Sequence, residues 1–314
     1  MELNKRNTLI LSAAQGLSIT TTNINMINTG LVGTNLSANS ALATLPLSIQ
    51  FLTIALSLIP VSLLMGKFGR RPMFLLGAFS AFVGYLIIAF SIYDRSFLLF
   101  IIGSILLGIS QANQQFYRYA AADNVSTNLK SKAISLVLAG GLIAAFIGPE
   151  ISKYSFDFFP DYIYLASYLL AALIQIINFV ILIFIKIDKP PPNKNLARPL
   201  SNILVQKNLM IAILAAAVGY SLMSFIMTAT PLQIVNVCKL GDEVSATVIQ
   251  WHVIAMFAPS FFTGFIIMKF GNKNVMLVGV LLYVISISFA IIGQTFLNFW
   301  ISLFLCGSGW NFLY

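Results

Sequence analysis

Ten long apolar stretches separated by short polar loops constrain this chain of 314 residues more than any other feature. A helix needs about 20 apolar residues to cross a bilayer, and these stretches are continuous, whereas a membrane β-strand alternates polar and apolar residues. Only 9% of the residues are charged, against roughly 25% in soluble domains, which excludes a soluble enzyme. We predict membrane helices at 8–33, 41–65, 73–93, 97–122, 133–151, 162–185, 208–230, 244–268, 274–292 and 296–314.

The basic residues are distributed unevenly over the loops between these stretches. With the N-terminus in the cytoplasm, 15 of the 18 lysines and arginines fall on the cytoplasmic side, and only Arg95, Lys153 and Lys239 do not. The positive-inside rule predicts this asymmetry, so we expect an integral multi-pass protein of a plasma membrane or a bacterial inner membrane. Because orientation accounts for the net charge of +9, we expect membrane lipid but no nucleic acid as a partner.

A short basic loop occurs twice in the chain. Lys-Phe-Gly at 67–69 follows the second apolar stretch, and Lys-Phe-Gly at 269–271 follows the eighth. The equivalent positions indicate an internal repeat, which is a feature of transporter folds, although a chance match of three residues is the alternative.

The longest hydrophilic segment lies between the sixth and seventh stretches. The predicted organisation is an N-terminal bundle of six helices (1–186), a cytoplasmic linker (187–207) and a C-terminal part with four helices (208–314).

The loop after the second stretch resembles the signature loop of the major facilitator superfamily, G-x-x-x-D-R/K-x-G-R-R/K. The matching residues are Lys67, Gly69, Arg70 and Arg71, and the second copy of the loop contributes Lys269, Gly271 and Lys273. Two positions differ from the pattern, because Ser62 replaces the first glycine and Gly66 replaces the acid. The family uses that acid in a charge relay. Physically, the remaining cations can lie against helix C-terminal carbonyls and anionic lipid headgroups.

The resemblance implies an all-α fold of two six-helix bundles that rock around a central cavity. Members of the family are secondary transporters that move small solutes by alternating access. They have twelve helices, so the ten predicted here imply a chain truncated after the tenth helix. The alternatives are a non-transporting remnant that inserts in the membrane, and half of a split transporter. Such a half would self-associate or need a partner chain that supplies the missing helices.

The first stretch is too polar for a helix surrounded only by lipid. Seven of its polar side chains fall within an arc of roughly 140° on a helix: Gln15, Ser18, Thr21, Thr22, Asn25, Asn28 and Thr29. An unpartnered buried amide costs about 1–3 kcal/mol, so this face should meet water, a solute or another polar helix. The fourth stretch repeats the pattern, and the seventh and tenth carry thinner polar stripes.

Helices one, four, seven and ten line the transport cavity in the resembled family. The resemblance therefore implies a cavity lined by Gln15, Thr22, Asn25, Asn28, Gln111, Gln114, Gln115, Ser221, Ser224 and Asn311. Hydrogen bonding between helices is the alternative role for these residues. The amides favour a polar, uncharged small-molecule substrate.

The candidates for a gate or for proton coupling are Arg118, Asp123, Glu150 and His252. Arg118 could instead extend its charge to the membrane surface, and a lone membrane histidine is more often a hydrogen-bonded packing residue than a proton relay. We expect no enzyme activity, because the stretches contain no paired acids, HExxH or nucleophile motif. We expect no metal or other cofactor either, because the chain has one histidine and its two cysteines form no metal-ligand pattern.

Overall fold

In the computed structural model of the protein, residues 5–123, 125–126, 129–187 and 205–313 are described, and they form long helices joined by short loops. The helices are α1 (Lys5–Leu36), α2 (Leu45–Phe68), α3 (Arg70–Tyr93), α4 (Phe97–Gln114), α5 (Tyr117–Asp123), α6 (Lys130–Ser155), α7 (Leu165–Ile183), α8 (Lys207–Leu232), α9 (Asp242–Phe257), α10 (Ser260–Phe270), α11 (Asn272–Ile292) and α12 (Phe296–Leu313). Within this part of the chain, nine helical segments are long and apolar enough to span a membrane.

The predicted all-α, polytopic fold is confirmed, and α1 is the helix that departs from a simple membrane span. It has 32 residues but is not among the nine apolar segments, because asparagine, serine and threonine lower its hydropathy. Residues 23–33 are buried without interruption, so protein rather than lipid surrounds this part of α1. The contrast is α2, where Leu56, Ile59 and Leu63 on one face are about 70% exposed, as expected for a face covered by lipid.

Two of the predicted spans are each divided into two helices. The fourth is interrupted between α4 and α5, where the Phe116 N–H donates to the Asn113 carbonyl in a tighter turn at 3.1 Å. The eighth is interrupted at Pro259, because proline has no N–H for the carbonyl four residues back. The Asn311 amide of α12 donates to the Met256 carbonyl beside this break at 2.7 Å. Both breaks are therefore local features of otherwise continuous spans.

Small residues let α1 and α6 pack closely. A Cβ at Gly140 would lie 2.2 Å from the Ser12 carbonyl oxygen, and a Cβ at Gly148 would lie 2.8 Å from the Thr20 carbonyl oxygen. Membrane helices that approach this closely use small residues at the contact. The approach also brings the α1 amides within hydrogen-bonding distance of neighbouring helices.

The contacts divide the chain into two compact units. The first unit is Met1–Pro190 with Pro231–Gln250, and the second unit is Pro191–Thr230 with Trp251–Tyr314. The end of α8 and the beginning of α9 therefore pack with the first unit. The predicted division into two bundles stays a prediction, and residues 188–204 of the predicted linker lie outside the described residues.

Candidate solute-binding site

A hydrogen-bonded network runs through the interior of the first unit around α1. Asn25 is fully buried, and its Nδ2 donates to the Gln50 Oε1 of α2 at 2.9 Å. The Thr29 hydroxyl donates to the Asn25 Oδ1 at 2.9 Å. The Ser152 hydroxyl of α6 donates to the Asn28 Oδ1 at 2.8 Å. These polar groups are thus mostly paired inside the bundle, as burial in a membrane protein requires. The exception is the buried Asn28 Nδ2, which has no hydrogen-bond partner among the described residues.

The α1 network also reaches α7. The Gln175 Nε2 donates to the Thr21 hydroxyl at 2.6 Å, and the Asn178 Nδ2 donates to the Ser18 hydroxyl at 3.0 Å. A second Asn178 bond reaches the Gln175 Oε1 at 3.1 Å. These amides fix α7 against α1 without a charge.

A small cleft, with room for about one water molecule, opens in the first unit beside this network. Its lining comes from α1, α3, α4 and α7: Ser18, Thr21, Thr22, Ala81, Tyr85, Leu107, Ser110, Gln111, Gln114 and Gln175. The Gln111 Nε2 donates to the Thr22 hydroxyl across the cleft at 3.0 Å. The lining residues are uncharged, so the polar groups of the cleft can form hydrogen bonds with a neutral molecule.

The structure brings some of the predicted cavity residues together and separates others. Thr22, Gln111 and Gln114 line the cleft, whereas Asn25 and Asn28 belong to the buried network. Among the described residues, Gln15 and Gln115 are half-buried on α1 and at the end of α4, outside the lining set. The remaining three residues of the predicted cavity set, Ser221, Ser224 and Asn311, belong to the second unit. The cavity assignment as a whole stays a prediction.

Three interior residues were absent from the predicted cavity set. Gln50, Gln175 and Asn178 are buried and pair with α1. A signal for two of them was present, because Gln175 and Asn178 are three residues apart in an apolar stretch and so share one helix face. Gln50 is a single amide in α2, and its role depends on its contact with Asn25 of α1. The spacing of residues along the sequence does not predict that contact.

The predicted signature loop is a sharp turn between α2 and α3. Gly69 has a φ of +92°, a conformation that favours glycine. Arg70 forms an ion pair with Asp123 at the end of α5, and the Arg71 guanidinium donates to the Ile183 carbonyl at the end of α7 at 2.8 Å. Asp123 thus pairs with the loop although Gly66 replaces the family's acid.

The second copy of the loop has the same backbone. Gly271 has a φ of +77° between α10 and α11. Lys269 lies 5.3 Å from the Phe270 ring centre, as Lys67 does from that of Phe68. Lys269 and Lys273 are exposed.

The other residues predicted for a gate or for coupling lie in separate places. The Arg118 guanidinium lies 5.0 Å from the Tyr119 ring centre. The Gln250 Nε2 lies 3.5 Å from the Glu150 Oε1. His252 is fully buried in the second unit, with its Nδ1 2.7 Å from the Leu303 carbonyl oxygen. That oxygen can only accept, so the proton is on Nδ1.

Several polar contacts hold the segment 231–250 against the rest of the first unit. The Tyr164 hydroxyl donates to the Asp242 Oδ1 at 2.5 Å, and the Lys153 Nζ lies 3.9 Å from the Glu243 Oε2. Burial raises the pKa of Tyr164, and the hydrogen bond and charge of Asp242 raise it further. This phenol therefore stays protonated as a donor. These contacts fasten the beginning of α9 to the end of α6 and to the residue before α7.

Comparison with known proteins identifies the family. The family model described as Major Facilitator Superfamily matches residues 9–314. The chain belongs to this superfamily. The membership predicted from the signature loop is therefore confirmed, and the superfamily's fold accounts for the long, nearly continuous helices of both units.

The chain is also similar to individual proteins of this superfamily. It is 37% identical to the riboflavin transporter RfnT of Brucella anthropi, over 98% of this chain and 78% of that protein. It is 27% identical to the uncharacterised MFS-type transporter YdeG of Bacillus subtilis, over 99% of this chain and 76% of that protein. A shorter match, 28% identical over 38% of this chain and 28% of the relative, is to the class B tetracycline resistance protein of Escherichia coli. As a member of this superfamily, the protein is an integral, multi-pass secondary transporter of small solutes and not an enzyme.

Proposed function

We propose that the protein transports a small, neutral, polar heterocycle, with riboflavin as the first candidate, and that the cleft of the first unit forms part of its route. The observation that carries this proposal is the cleft, where polar side chains of α1, α4 and α7 converge without a charge. Polar groups inside a membrane protein commonly mark a solute pathway. The name of the Brucella anthropi relative supports riboflavin as the first compound to test.

Alternating access in this proposal uses the segment 231–250 as the outer closure. With the N-terminus in the cytoplasm, as the basic loops favour, the contacts of Tyr164 with Asp242 and of Lys153 with Glu243 lie at the outer end. An exposed ion pair contributes about 0–1 kcal/mol, so the Lys153–Glu243 pair can break and reform readily. A solute that binds one state better than the other then shifts the populations of the two states.

A coupling proton is part of the same proposal, and Glu150 is the carrier that we favour. It is half-buried near the end of α6 and faces Gln250 of the closing segment. By contrast, Asp123 is paired with Arg70, and His252 bonds a backbone carbonyl. If Glu150 carries the proton, Glu150→Gln removes the stimulation of uptake by an inward proton gradient but keeps solute exchange across the membrane.

Lipid contacts at the two basic loops belong to the proposal as well. Lys67, Arg71, Lys269 and Lys273 are exposed, and such cations attract anionic headgroups at the cytoplasmic surface. The predicted self-association or partner chain stays a prediction. Lipid tails could cover the apolar side chains that α8 exposes, and a partner helix is not required for this.

Uptake into proteoliposomes tests the proposed function. We expect the purified protein to take up tritiated riboflavin saturably, and Gln111→Leu to lower the rate by about tenfold, because it removes a polar group from the cleft. The matched control is Gln115→Leu, four residues further along the chain and outside the cleft lining, which should keep most of the rate. Uptake no faster than in empty liposomes, or equal rates for the two variants, would contradict the proposal.

A further inference from the structure

Two arginines from different helices converge on the end of α7. The Arg6 guanidinium of α1 donates to the Phe184 carbonyl at 3.2 Å, and the Arg71 guanidinium of α3 donates to the Ile183 carbonyl at 2.8 Å. These carbonyls belong to consecutive residues at a helix C-terminus, where basic side chains are favoured because the helix end carries a partial negative charge. Two positive charges are therefore fixed at one helix end.

The acids of the described residues do not balance this charge. Among those residues, Arg6 and Arg71 form no ion pair, and Asp123 is already paired with the adjacent Arg70. A helix C-terminus supplies only about half a negative charge. If residues 1–6, Arg71 and residues 183–189 are taken together, five cations against two acids leave a net charge of +3. Like charges that lie close together repel, so an anion between the two guanidinium groups would stabilise this arrangement.

The remaining N–H groups of the two arginines suit a phosphate group. A guanidinium has five N–H donors in a planar fork. Among the described residues, Arg6 and Arg71 each use one nitrogen on an α7 carbonyl. Both arginines are exposed, so their other donors can be reached from the surface of the protein. Arginine binds phosphate through two parallel N–H bonds, which gives the pair a defined geometry.

Apolar side chains of α3 and α7 continue from these arginines along the membrane. Phe79 of α3 and Phe179 of α7 have ring centres 6.3 Å apart, so the two helices meet there. Phe79 follows Arg71 by eight residues, which is about 12 Å along a helix. Phe79, Val180 and Phe184 are exposed. An acyl chain would cover these side chains, whereas a free phosphate would leave them uncovered. The surface thus combines a phosphate site with an apolar seam.

We propose that an anionic phospholipid binds at the end of α7, with its phosphate between Arg6 and Arg71 and an acyl chain along the seam of Phe79 and Phe179. Basic sites between membrane helices bind the headgroups of such lipids. The inference rests on the lipid contact proposed above for the basic loops, and it gives that contact a defined position at the first loop. The bound lipid joins the beginnings of α1 and α3 to the end of α7.

Native mass spectrometry of the purified protein tests the proposal by titration with phosphatidylglycerol or with zwitterionic phosphatidylcholine. We expect the first phosphatidylglycerol to bind about thirtyfold more tightly than phosphatidylcholine, because each cation near an anionic headgroup strengthens the attraction about fivefold. In Arg6→Gln with Arg71→Gln, where glutamine can still donate to the α7 carbonyls, the two lipids should bind within about twofold of each other. The matched control, Lys269→Gln with Lys273→Gln, removes the same charge at the second loop and should keep the wild-type preference.

The remaining outcomes decide between a lipid site and its alternatives. A preference that persists in the double arginine variant, a preference lost equally in the lysine control, or equal binding of the two lipids to the wild type would overturn the proposal. Glycerophosphoglycerol is the same headgroup without acyl chains, and competition by it at the concentration of the lipid would overturn the assignment to a lipid in favour of a free phosphate ester.

Two further measurements keep the test decisive. If the double variant does not elute as a folded monomer, Arg71→Gln alone should lose about fivefold in affinity for phosphatidylglycerol, and an unchanged affinity would overturn the proposal. Riboflavin uptake is measured separately in the wild-type protein. Its failure would contradict the proposed substrate and leave the lipid site standing, because lipid binding is read without any solute.

Discussion

Two matching regions, one in each unit, have the same backbone packing but different polar chemistry. Gln50 in α2 and His252 in α9 are 202 residues apart, the same separation as the two Lys-Phe-Gly loops. A Cβ at Gly108 would lie 2.8 Å from the Gln50 carbonyl oxygen, and a Cβ at Gly307 would lie 2.5 Å from the His252 carbonyl oxygen. A helix therefore approaches each of these residues through a glycine.

The side chains at the two matched positions bond to different partners. Gln50 accepts from the buried Asn25 amide and so joins the network around α1. Among the described residues, the His252 side chain has one hydrogen-bond partner, the backbone carbonyl of Leu303. The comparison of the Gln50 and His252 regions indicates that both copies of the repeat have the same helix packing. The side chains at the matched positions differ, and they make the interior of the first unit the more polar one. The polar network and the uncharged cleft both lie in the first unit, and our functional proposal depends on them.

The largest expected effect comes from filling the glycine contacts. Gly108→Ala and Gly307→Ala each place a methyl group against backbone of the facing helix, and overpacking of this kind costs about 1–3 kcal/mol. We expect both variants to lose thermal stability in detergent, measured by unfolding with a thiol- or tryptophan-based probe. Gly66→Ala is the control, because nothing lies within 4 Å of a Cβ there. If Gly108→Ala lost thermal stability and Gly307→Ala did not, the two regions would not be packed equivalently.

The next effect distinguishes the two polar side chains. Gln50→Leu leaves the buried Asn25 Nδ2 without its partner, at a cost of about 1–3 kcal/mol. His252→Leu removes a bond to one backbone carbonyl and should cost less. We expect the melting temperature of purified protein to fall further for Gln50→Leu. Equal losses would contradict the contrast between a network residue and an isolated one.

A smaller effect is expected at the signature loop, where, within the described part of the chain, an ion pair is found at the first copy and not at the second. Arg70 pairs with Asp123, whose side chain is 60% exposed, and asparagine stands at the matching position 272. The Arg70 side chain is 17% exposed, so only the carboxylate side of the pair is open to water. A pair screened by water contributes about 0–1 kcal/mol, so Asp123→Asn should change unfolding slightly and less so in high salt. Asp157→Asn, in an exposed turn, is the control. A loss that is large and independent of salt would show that the pair acts as a buried contact.

The smallest effect concerns the closing segment at high pH. The pKa of Tyr164 is raised above its ordinary value of 10.0 by burial and by Asp242. The folded protein therefore holds this proton more tightly, so the stability that the group contributes is complete below pH 10 and declines as the pH rises further. The ultraviolet titrations of wild type and Tyr164→Phe should coincide up to about pH 10. A phenolate signal below that pH in their difference spectrum would contradict this assignment.

Much of the fold could be predicted because membrane spans depend on local composition. The apolar runs, the basic loops and the two Lys-Phe-Gly turns each report on neighbouring residues, and the structure has the helices and the Gly69 and Gly271 turns that they imply. The division of the fourth and eighth spans was missed. Pro259 was a visible signal for one of these breaks, whereas no breaking residue marks the other at 115–116.

The candidate site was less predictable because it depends on contacts between distant helices. The polar face of α1 was evident, but its spacing alone does not separate Thr22, which lines the cleft, from Asn25, which is sealed by Gln50. Likewise, Gln114 and Gln115 are adjacent in sequence, and only the position of α4 against α1 and α3 assigns Gln114 to the cleft. The role of Asp123 beside Arg70 could not be derived from a motif that places its acid at Gly66.

The central claim is that solute occupies the cleft of the first unit, and cysteine labelling at Ser110 tests it most directly. Ser110 lines the cleft, and Ser110→Cys would be made with Cys238→Ser, since Cys306 is buried. With riboflavin at ten times its dissociation constant, we expect the thiol to react with a small polar methanethiosulfonate about tenfold more slowly, as site occupancy requires. An unchanged labelling rate in protein that still takes up riboflavin would contradict the account.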